Sequence, residues 1–289
     1  MELIYENENG KSVIISAPSG SAADRRNAQF VLTGARGLYA TSAAIQTAMA
    51  GEQTVLAHSV IKPREIRIEG IIMEQVAYNR SRLAECMAPR SPGWLRLRRA
   101  ASERRITCVV REAPVFDIAN GARFAAELLA PSPFWEASEG SASAPLSGWV
   151  GHIEFPFEII ETFEFGSRVL GVTVDIINPG DVPTGMVVRM IAAETVENPQ
   201  VLRTDTGESM RLLAALQAGD TFTISTGANE KYASIRRANG TIENAMPALD
   251  PQTVFLSLIP GDNLLRVSAD SGEEALEAEV LFRARYISA

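Results

Sequence analysis

Three short turn sequences decide the fold of this chain: Asn178-Pro179-Gly180-Asp181, Gln217-Ala218-Gly219-Asp220 and Pro260-Gly261-Asp262-Asn263. Each combines glycine with aspartate, and two of them add proline and asparagine, which are the residue types that favour tight turns. Each lies between short runs in which apolar and polar side chains alternate, as they do in strands with one buried and one wet face. The last half of the chain therefore predicts an all-β sandwich, and nothing in these turns is catalytic.

The alternation continues on both sides of these turns. Phenylalanine and isoleucine share one parity in the run 153–165, and glutamate takes the other. The same two-residue period predicts four more strands, at residues 170–176, 186–190, 222–224 and 276–286, the last with Tyr286 on its inward face.

The first part of the chain is also rich in strand patterns. Residues 62–70 alternate charged side chains with isoleucine, which predicts a strand. Val76, Leu83 and Met87 recur at helical spacing and predict a short helix that ends at Pro89. Residues 41–51 are mostly small, so this region is interpreted as a protruding arm, either a weak helix or a mobile loop.

Length and composition indicate two domains. A chain of 289 residues exceeds the usual size of one domain, roughly 100 to 200 residues. The small, turn-forming stretch ASEGSASAPLSG begins at residue 137 and is typical of a linker. We therefore predict a mainly β protein with a β-rich first domain at 1–136 that carries one short helix, a linker at 137–150 and a β-sandwich at 151–289.

The net charge of −8 conceals two halves of opposite sign. Residues 62–111 contain 12 Lys/Arg and 5 Asp/Glu, whereas residues 112–289 contain 11 and 25. Cys86 and Cys108 are too few for a disulfide framework and are interpreted as buried apolar side chains. Without a signal sequence or a run of about 20 apolar residues, the chain is expected to be soluble and not to insert into membranes.

The sequence carries no strong mark of catalysis. Its histidines, His58 and His152, are far apart, and we find no phosphate-binding loop or nucleophile motif, so we predict no enzyme, no metal and no cofactor. Four glutamates could supply a pair of catalytic carboxylates, but most of them share the polar parity of one strand, where carboxylates are simply solvated. These are Glu154, Glu158, Glu161 and Glu164.

Basic and aromatic side chains are the remaining candidates. Five arginines lie close together beside Trp94, which raises the possibility of nucleic acid binding: Arg96, Arg98, Arg99, Arg104 and Arg105. Because no recognition helix or zinc finger accompanies them, we favour a protein interface. Phe134 and Trp135, between prolines and the linker, are interpreted as packing between the domains.

These residues together resemble the distal tail proteins of long-tailed phages. The resemblance covers nearly the whole chain and is weakest at 35–57. It is carried by the run 62–72, by Ala130-Pro131-Ser132-Pro133-Phe134-Trp135, by Phe282-Arg283-Ala284-Arg285-Tyr286 and by the order of the turns, including Asn198-Pro199 and Thr206-Gly207-Glu208.

The resemblance implies a structural protein of the virion tail tip, made in the host cytoplasm. In that family the first domain forms a hexameric ring around the tail channel, and the second is a galectin-like β-sandwich outside it. The implied partners are the tail tube protein, the tail-associated tip protein and receptor-binding or baseplate proteins, while genomic DNA passes the channel without sequence-specific binding. Seven arginines become candidates for contacts between subunits or with the channel: Arg64, Arg67, Arg96, Arg98, Arg99, Arg104 and Arg105.

Two other functions remain open from the sequence. The second domain could be a carbohydrate-binding module for host attachment that uses an exposed aromatic ring such as Tyr232, with Trp149 at its edge. A tail-associated hydrolase would need the carboxylates of Glu158 or Glu161.

Overall fold

A computed structural model describes residues 1–17, 29–100, 102–119, 121–138, 142–146, 148–151, 166–169, 173–228 and 230–289. The chain divides into two compact units, Met1–Glu139 with Arg285–Ala289, and Gly140–Ala284. Strands dominate both units, so the predicted mainly β class is confirmed.

The first unit is built on a β-sheet that closes on itself. The strand order is β8-β7-β1-β2-β3-β6-β9, and β9 pairs back with β8. Closure is possible because the 15-residue β8 pairs with β7 along its first half and with β9 along its second half. The elements are β1 (Glu2–Asn7), β2 (Ser12–Ser16), β3 (Phe30–Arg36), β4 (Ala43–Ala50), β5 (Gln53–Ile61), β6 (Arg64–Ile72), α1 (Val76–Cys86), β7 (Pro92–Arg99), β8 (Ser102–Phe116), β9 (Arg123–Ala130) and β10 (Trp135–Ala137).

Alternating side chains fill the inside of this closed sheet. In β6, Ile66, Ile68 and Ile72 are buried while Glu65 and Arg67 face outward, as the alternation predicts. The helix α1 adds Leu83 and Cys86 to the same core, together with Met87 just after its end. The helix predicted before Pro89 is therefore present, and it packs on the closed sheet through its apolar residues.

Both cysteines belong to this core, as the sequence suggests. Each is free and buried. Burial raises the pKa of Cys86 to about 11 and that of Cys108 to about 12. The thiols therefore stay protonated at neutral pH and are poor nucleophiles.

The second unit is a β-sandwich. A six-stranded sheet, β11-β24-β15-β20-β21-β22, and a four-stranded sheet, β14-β23-β17-β18, contribute buried residues to one core. The strands are β11 (Ala142–Pro145), β12 (Gly148–Gly151), β13 (Gly166–Val169), β14 (Thr173–Asp175), β15 (Met186–Ala192), β16 (Val196–Glu197), β17 (Gln200–Arg203), β18 (Ser209–Arg211), β19 (Ala215–Leu216), β20 (Thr221–Gly227), β21 (Glu230–Arg236), β22 (Ile242–Asn244), β23 (Leu264–Ser268) and β24 (Leu276–Phe282), with 3-10 turns at Met246–Ala248 and Glu273–Ala275.

Two buried asparagines hold the turns that flank this sandwich. Asn178 Oδ1 accepts from the amide of Gly180 (2.9 Å), and its Nδ2 donates to the Leu258 carbonyl (3.0 Å). Asn263 Oδ1 accepts from the amide of Ile259, and its Nδ2 donates to the Ile176 carbonyl. The turn residues that decide the fold in the sequence thus satisfy buried backbone groups around the core.

Two predicted segments differ from the observed strands. Residues 142–145, predicted as linker, form β11 and pair with β24. The predicted strand 276–286 is interrupted, because β24 ends at Phe282 and Tyr286 lies in a separate strand, β25 (Arg285–Tyr286), which pairs with β10 of the first unit. The predicted strand at 153–165 lies outside the described residues.

The turn before β20 provides a test of the sandwich. The buried carboxylate of Asp220 accepts from the amides of Gln217 and Ala238 (both 3.0 Å) and from Arg237 (2.8 Å). Burial alone would raise the pKa of Asp220, but these hydrogen bonds outweigh it, and the net shift is downward.

We expect Asp220→Asn to destabilise the second unit by about 2 kcal/mol at neutral pH, because hydrogen bonds to a charged group are lost. A carboxyl whose folded pKa is depressed stabilises the fold above its unfolded pKa, about 3.9, and this contribution disappears as pH falls through the folded value. The difference between variant and wild type should therefore shrink below pH ~4. Urea unfolding between pH 3 and pH 7 measures it, and Asp262→Asn, in an exposed turn, is the matched control. A difference that does not depend on pH would contradict this assignment.

Candidate assembly surfaces

Most of the arginines predicted as contact residues are paired within the chain. On one face of β1, β7, β8 and β10, Arg96 pairs with Glu6, and Arg98 with Glu103 (2.7 Å) and Glu2 (3.5 Å). On the neighbouring strands, Arg105 lies 3.5 Å from Glu136.

The alternation of charge across these strands follows from their register. Glu2 lies opposite Arg98 on β7, and Arg98 lies opposite Glu103 on β8. Opposite charges directly across neighbouring strands stabilise a sheet, so Arg98 forms a ladder with Glu2 and Glu103. Arg96 lies opposite Arg105, and these two arginines pair with Glu6 and Glu136 of their own chain. This arrangement leaves less positive charge for a nucleic acid than the sequence count suggests, and the role of these arginines in contacts between subunits stays a prediction.

The remaining predicted arginines fall in different places. Arg67 pairs with Glu69 (2.8 Å) and Glu127 (3.1 Å) on the outer face of β6 and β9. Arg99 lies over the ring of Tyr39 at 5.1 Å, and Arg104 over that of Tyr286 at 3.7 Å.

Arg64 is the exception, because it is buried. Its guanidinium donates to five backbone carbonyls at 2.6–3.0 Å: those of Gly37, Leu38, Ala40, Pro133 and Ile287. Burial lowers the pKa of this arginine, but a guanidinium remains charged in proteins. Arg64 therefore joins three separate segments of the first unit, the loop after β3, the segment before β10 and residues 285–289.

Trp135 and Phe134 lie in the first unit. Trp135 is fully buried in its core, and its indole Nε1–H donates to the Leu38 carbonyl (3.0 Å). Arg285 lies over the Phe134 ring at 4.5 Å. Both aromatic residues thus support the first unit together with its returning segment, and their predicted packing between domains stays a prediction.

Strands β4 and β5 form an exposed hairpin. We call β4 and β5 the arm. Every residue of both strands is exposed, and the two strands pair only with each other among the described strands. The helix or loop expected at 41–51 is therefore wrong. The β-branched and apolar residues at 55–61 after Gly51 are the signal that favours a hairpin here.

One face of the arm carries a stripe of large apolar side chains. The register places Ala43 opposite Ile61, Ile45 opposite Ser59, Thr47 opposite Leu56 and Met49 opposite Thr54. Ile61, Ile45, Leu56 and Met49 consequently share one face, and they are 47%, 65%, 65% and 71% exposed.

This stripe depends on a register shift. A β-bulge lies between Gln46 and Thr47 in the pairing, so that Ala57 has no partner in the ladder. An extra residue in one strand changes the face to which the following side chains point. Without the shift Leu56 would lie on the other face, so the bulge assembles the stripe.

Some of the candidates for catalysis and sugar binding fall within the described residues. His58 is exposed on the arm, and within the described ranges no cluster of three or more His, Cys, Asp or Glu is arranged to hold a metal ion. His152 and the four candidate glutamates lie outside the described residues. Tyr232 is 43% exposed on β21. No helix in the described part of the chain has the length and hydropathy that a membrane span requires.

One part of the chain is similar to a known protein family. Residues 179–286 match the family described as siphovirus-type tail component, C-terminal domain. The predicted resemblance to phage distal tail proteins is confirmed. A comparison with curated proteins found no match.

Solved structures resemble the chain over its whole length. The Dit protein of phage SPP1, described as a paradigm of the hub adsorption apparatus in phages that infect Gram-positive hosts, is 11% identical and covers 98% of each chain with a TM-score of 0.65. Chains of the phage p2 baseplate in its activated conformation, with Sr and with Ca, are 10% and 11% identical, cover 100% of this chain and 99% of their own, and give TM-scores of 0.53. At such identities the likeness establishes the fold alone.

Arg64→Lys tests the central position of the buried guanidinium. Lysine keeps the charge, but its three donors sit on one nitrogen and cannot reach carbonyls on three separate segments. Each carbonyl left without a donor costs about 1–3 kcal/mol, so we expect the first unit to lose at least ~2 kcal/mol in denaturant unfolding. Arg67→Lys, on the same strand but at the surface, should change stability little. Equal stability of the Arg64 variant and the wild type would contradict the assignment.

Proposed function

We propose that this protein is a structural hub protein at the distal tail of a long-tailed phage, and that it acts by assembly and not by catalysis. The family match of the second unit and the fold likeness to the SPP1 hub and the p2 baseplate support this role. The proposed location is the tail tip of the virion, and the proposed partners are the tail tube protein, the tail-associated tip protein and receptor-binding or baseplate proteins.

The observation that carries the proposal is the uncovered stripe on the arm. A hairpin of two strands is marginally stable on its own in water, and contiguous exposed apolar side chains mark interaction surfaces. Burying one leucine, isoleucine or methionine side chain contributes about 1.5–3 kcal/mol. The four side chains of the stripe are thus sufficient for a substantial contact with a second copy.

The shape of the arm favours a ring over a simple dimer. In this proposal the arm contacts a surface unlike itself on the next copy, which is a head-to-tail interface, and such interfaces generate closed rings when the rotation closes. We assign the first unit to this ring, in six copies as in the distal tail family, with the tail channel at its centre. The ladder of paired arginines is consistent with a channel through which DNA passes without sequence-specific binding.

The double variant Ile45→Ser/Leu56→Ser tests the arm. Two polar substitutions in the stripe should weaken each contact by roughly 2 kcal/mol or more, which raises the concentration needed for assembly at least about tenfold. Light scattering on a sizing column measures the mass, and negative-stain electron microscopy shows whether six-fold rings form. Ile242→Ser, which is 63% exposed on β22 of the second unit, is the matched control and should assemble like the wild type.

Two outcomes would contradict the proposal. If the double variant assembled at the wild-type concentration, the arm would not be the contact between copies. If the wild type stayed monomeric at every concentration, alone and with its tail partners, the ring itself would be wrong.

A further inference from the structure

Residues 285–289, here called the strap, are held in the first unit by side chains from several segments. Arg285 lies over Phe134, and its guanidinium donates to Ser132 Oγ (3.0 Å). Tyr286 pairs with Trp135 across β25 and β10. The strap is therefore a folded part of this unit, although it is distant from the rest of it in sequence.

Arg104 and Arg64 bind the last part of the strap. Arg104 stacks on the Tyr286 ring at 3.7 Å and donates to the Ser288 carbonyl. Arg64 donates through Nη2 to the Ile287 carbonyl (2.6 Å). A stacked guanidinium and two hydrogen bonds from charged donors make this a specific attachment.

The same Arg64 side chain also holds the arm where it leaves the closed sheet. Through Nη1 it donates to the carbonyls of Gly37, Leu38 and Ala40, in the loop that leads into β4. Arg64 itself begins β6, and only Lys62 and Pro63 separate it from the end of β5. The amide of Lys62 donates to the Ser42 carbonyl (2.8 Å). Both chain segments at the base of the arm are thus fixed around one guanidinium.

We infer that the strap positions the arm through Arg64. When the strap is docked, each of the three guanidinium nitrogens has a carbonyl partner and the side chain is buried, so the loop 37–40 has one arrangement. When the strap leaves, the Ile287 carbonyl is lost and water reaches the site, so the bonds that hold the loop weaken. Because coupling between two binding events is reciprocal, an ordered arm base also favours strap docking.

The consequence for assembly rests on the proposed function of the arm, but the coupling itself does not. A strap that positions the base of the arm would make ring formation depend on residues 285–289. Arg64 is a positioning residue in this scheme, since it touches the base of the arm and not the stripe.

Hydrogen–deuterium exchange on the full chain tests the coupling. Tyr286→Ala removes the ring that Arg104 stacks on, and Arg104→Gln removes the cation and its bond to Ser288. Each should raise exchange about tenfold in peptides that cover residues 38–44 and 60–64, including the Lys62 amide, because a charged hydrogen bond to the base is weakened. Tyr78→Ala, at a tyrosine 66% exposed on α1, is the matched control and should leave these peptides unchanged.

The outcomes separate the two proposals. Faster exchange at the base of the arm, with unchanged exchange in the second unit, supports the coupling between strap and arm. Unchanged exchange in a folded Tyr286→Ala or Arg104→Gln variant overturns it, whatever the assembly state. If exchange rises but Ile45→Ser/Leu56→Ser still assembles normally, the coupling between strap and arm is supported and the proposed function of the arm is contradicted. Should Tyr286→Ala not fold, Arg104→Gln alone decides.

Discussion

The first unit depends on one buried charge. Arg64 has no carboxylate among its hydrogen-bond partners in the described structure, and its charge is met by five carbonyl dipoles from segments that are remote in sequence. A buried charge is costly unless every donor is used, so the surrounding backbone must keep its position around the guanidinium. This requirement fixes the backbone position of three segments: the loop before the arm, the segment that leads to Trp135 and the residues after β24.

The two units differ in how their sheets are arranged. The first pairs β8 with both β7 and β9, which closes seven strands of its sheet, while β10 and β25 extend from β8 and leave β25 as an edge. The second stacks two sheets and surrounds its core with turns fixed by Asn178 and Asn263. The arm belongs to neither arrangement: all residues of its two strands are exposed, and within the described chain they pack on no core.

Local patterns in the sequence were sufficient to predict the elements that bury one face. Examples are the isoleucines of β6, the apolar residues of α1 and the alternation in β24. In each of these elements the buried residues recur at a regular spacing in the sequence. The strap could not be predicted in this way, because Phe282 to Tyr286 continues the same alternation while the chain leaves one core for another. The arginine ladder was predicted in part, since Arg96 and Arg98 share a face, but its partners Glu2 and Glu6 lie about ninety residues earlier. The role of Arg64 could not be predicted, because nothing in the sequence of β6 distinguishes this buried arginine from the exposed Arg67.

The bulge in the arm shows how much can depend on a single residue of length. Ala57 is small and has no partner in the ladder, yet the register shift at this residue gathers the large side chains on one side. A ladder that ran through Ala57 without the bulge would place either Leu56 or Ile61 on the opposite side of the hairpin, with no change in composition or in the tendency to form strands. The grouping of apolar side chains on one side of the hairpin therefore depends on a single step in the pairing register, and a comparison based on amino-acid similarity alone would score the two registers as equal.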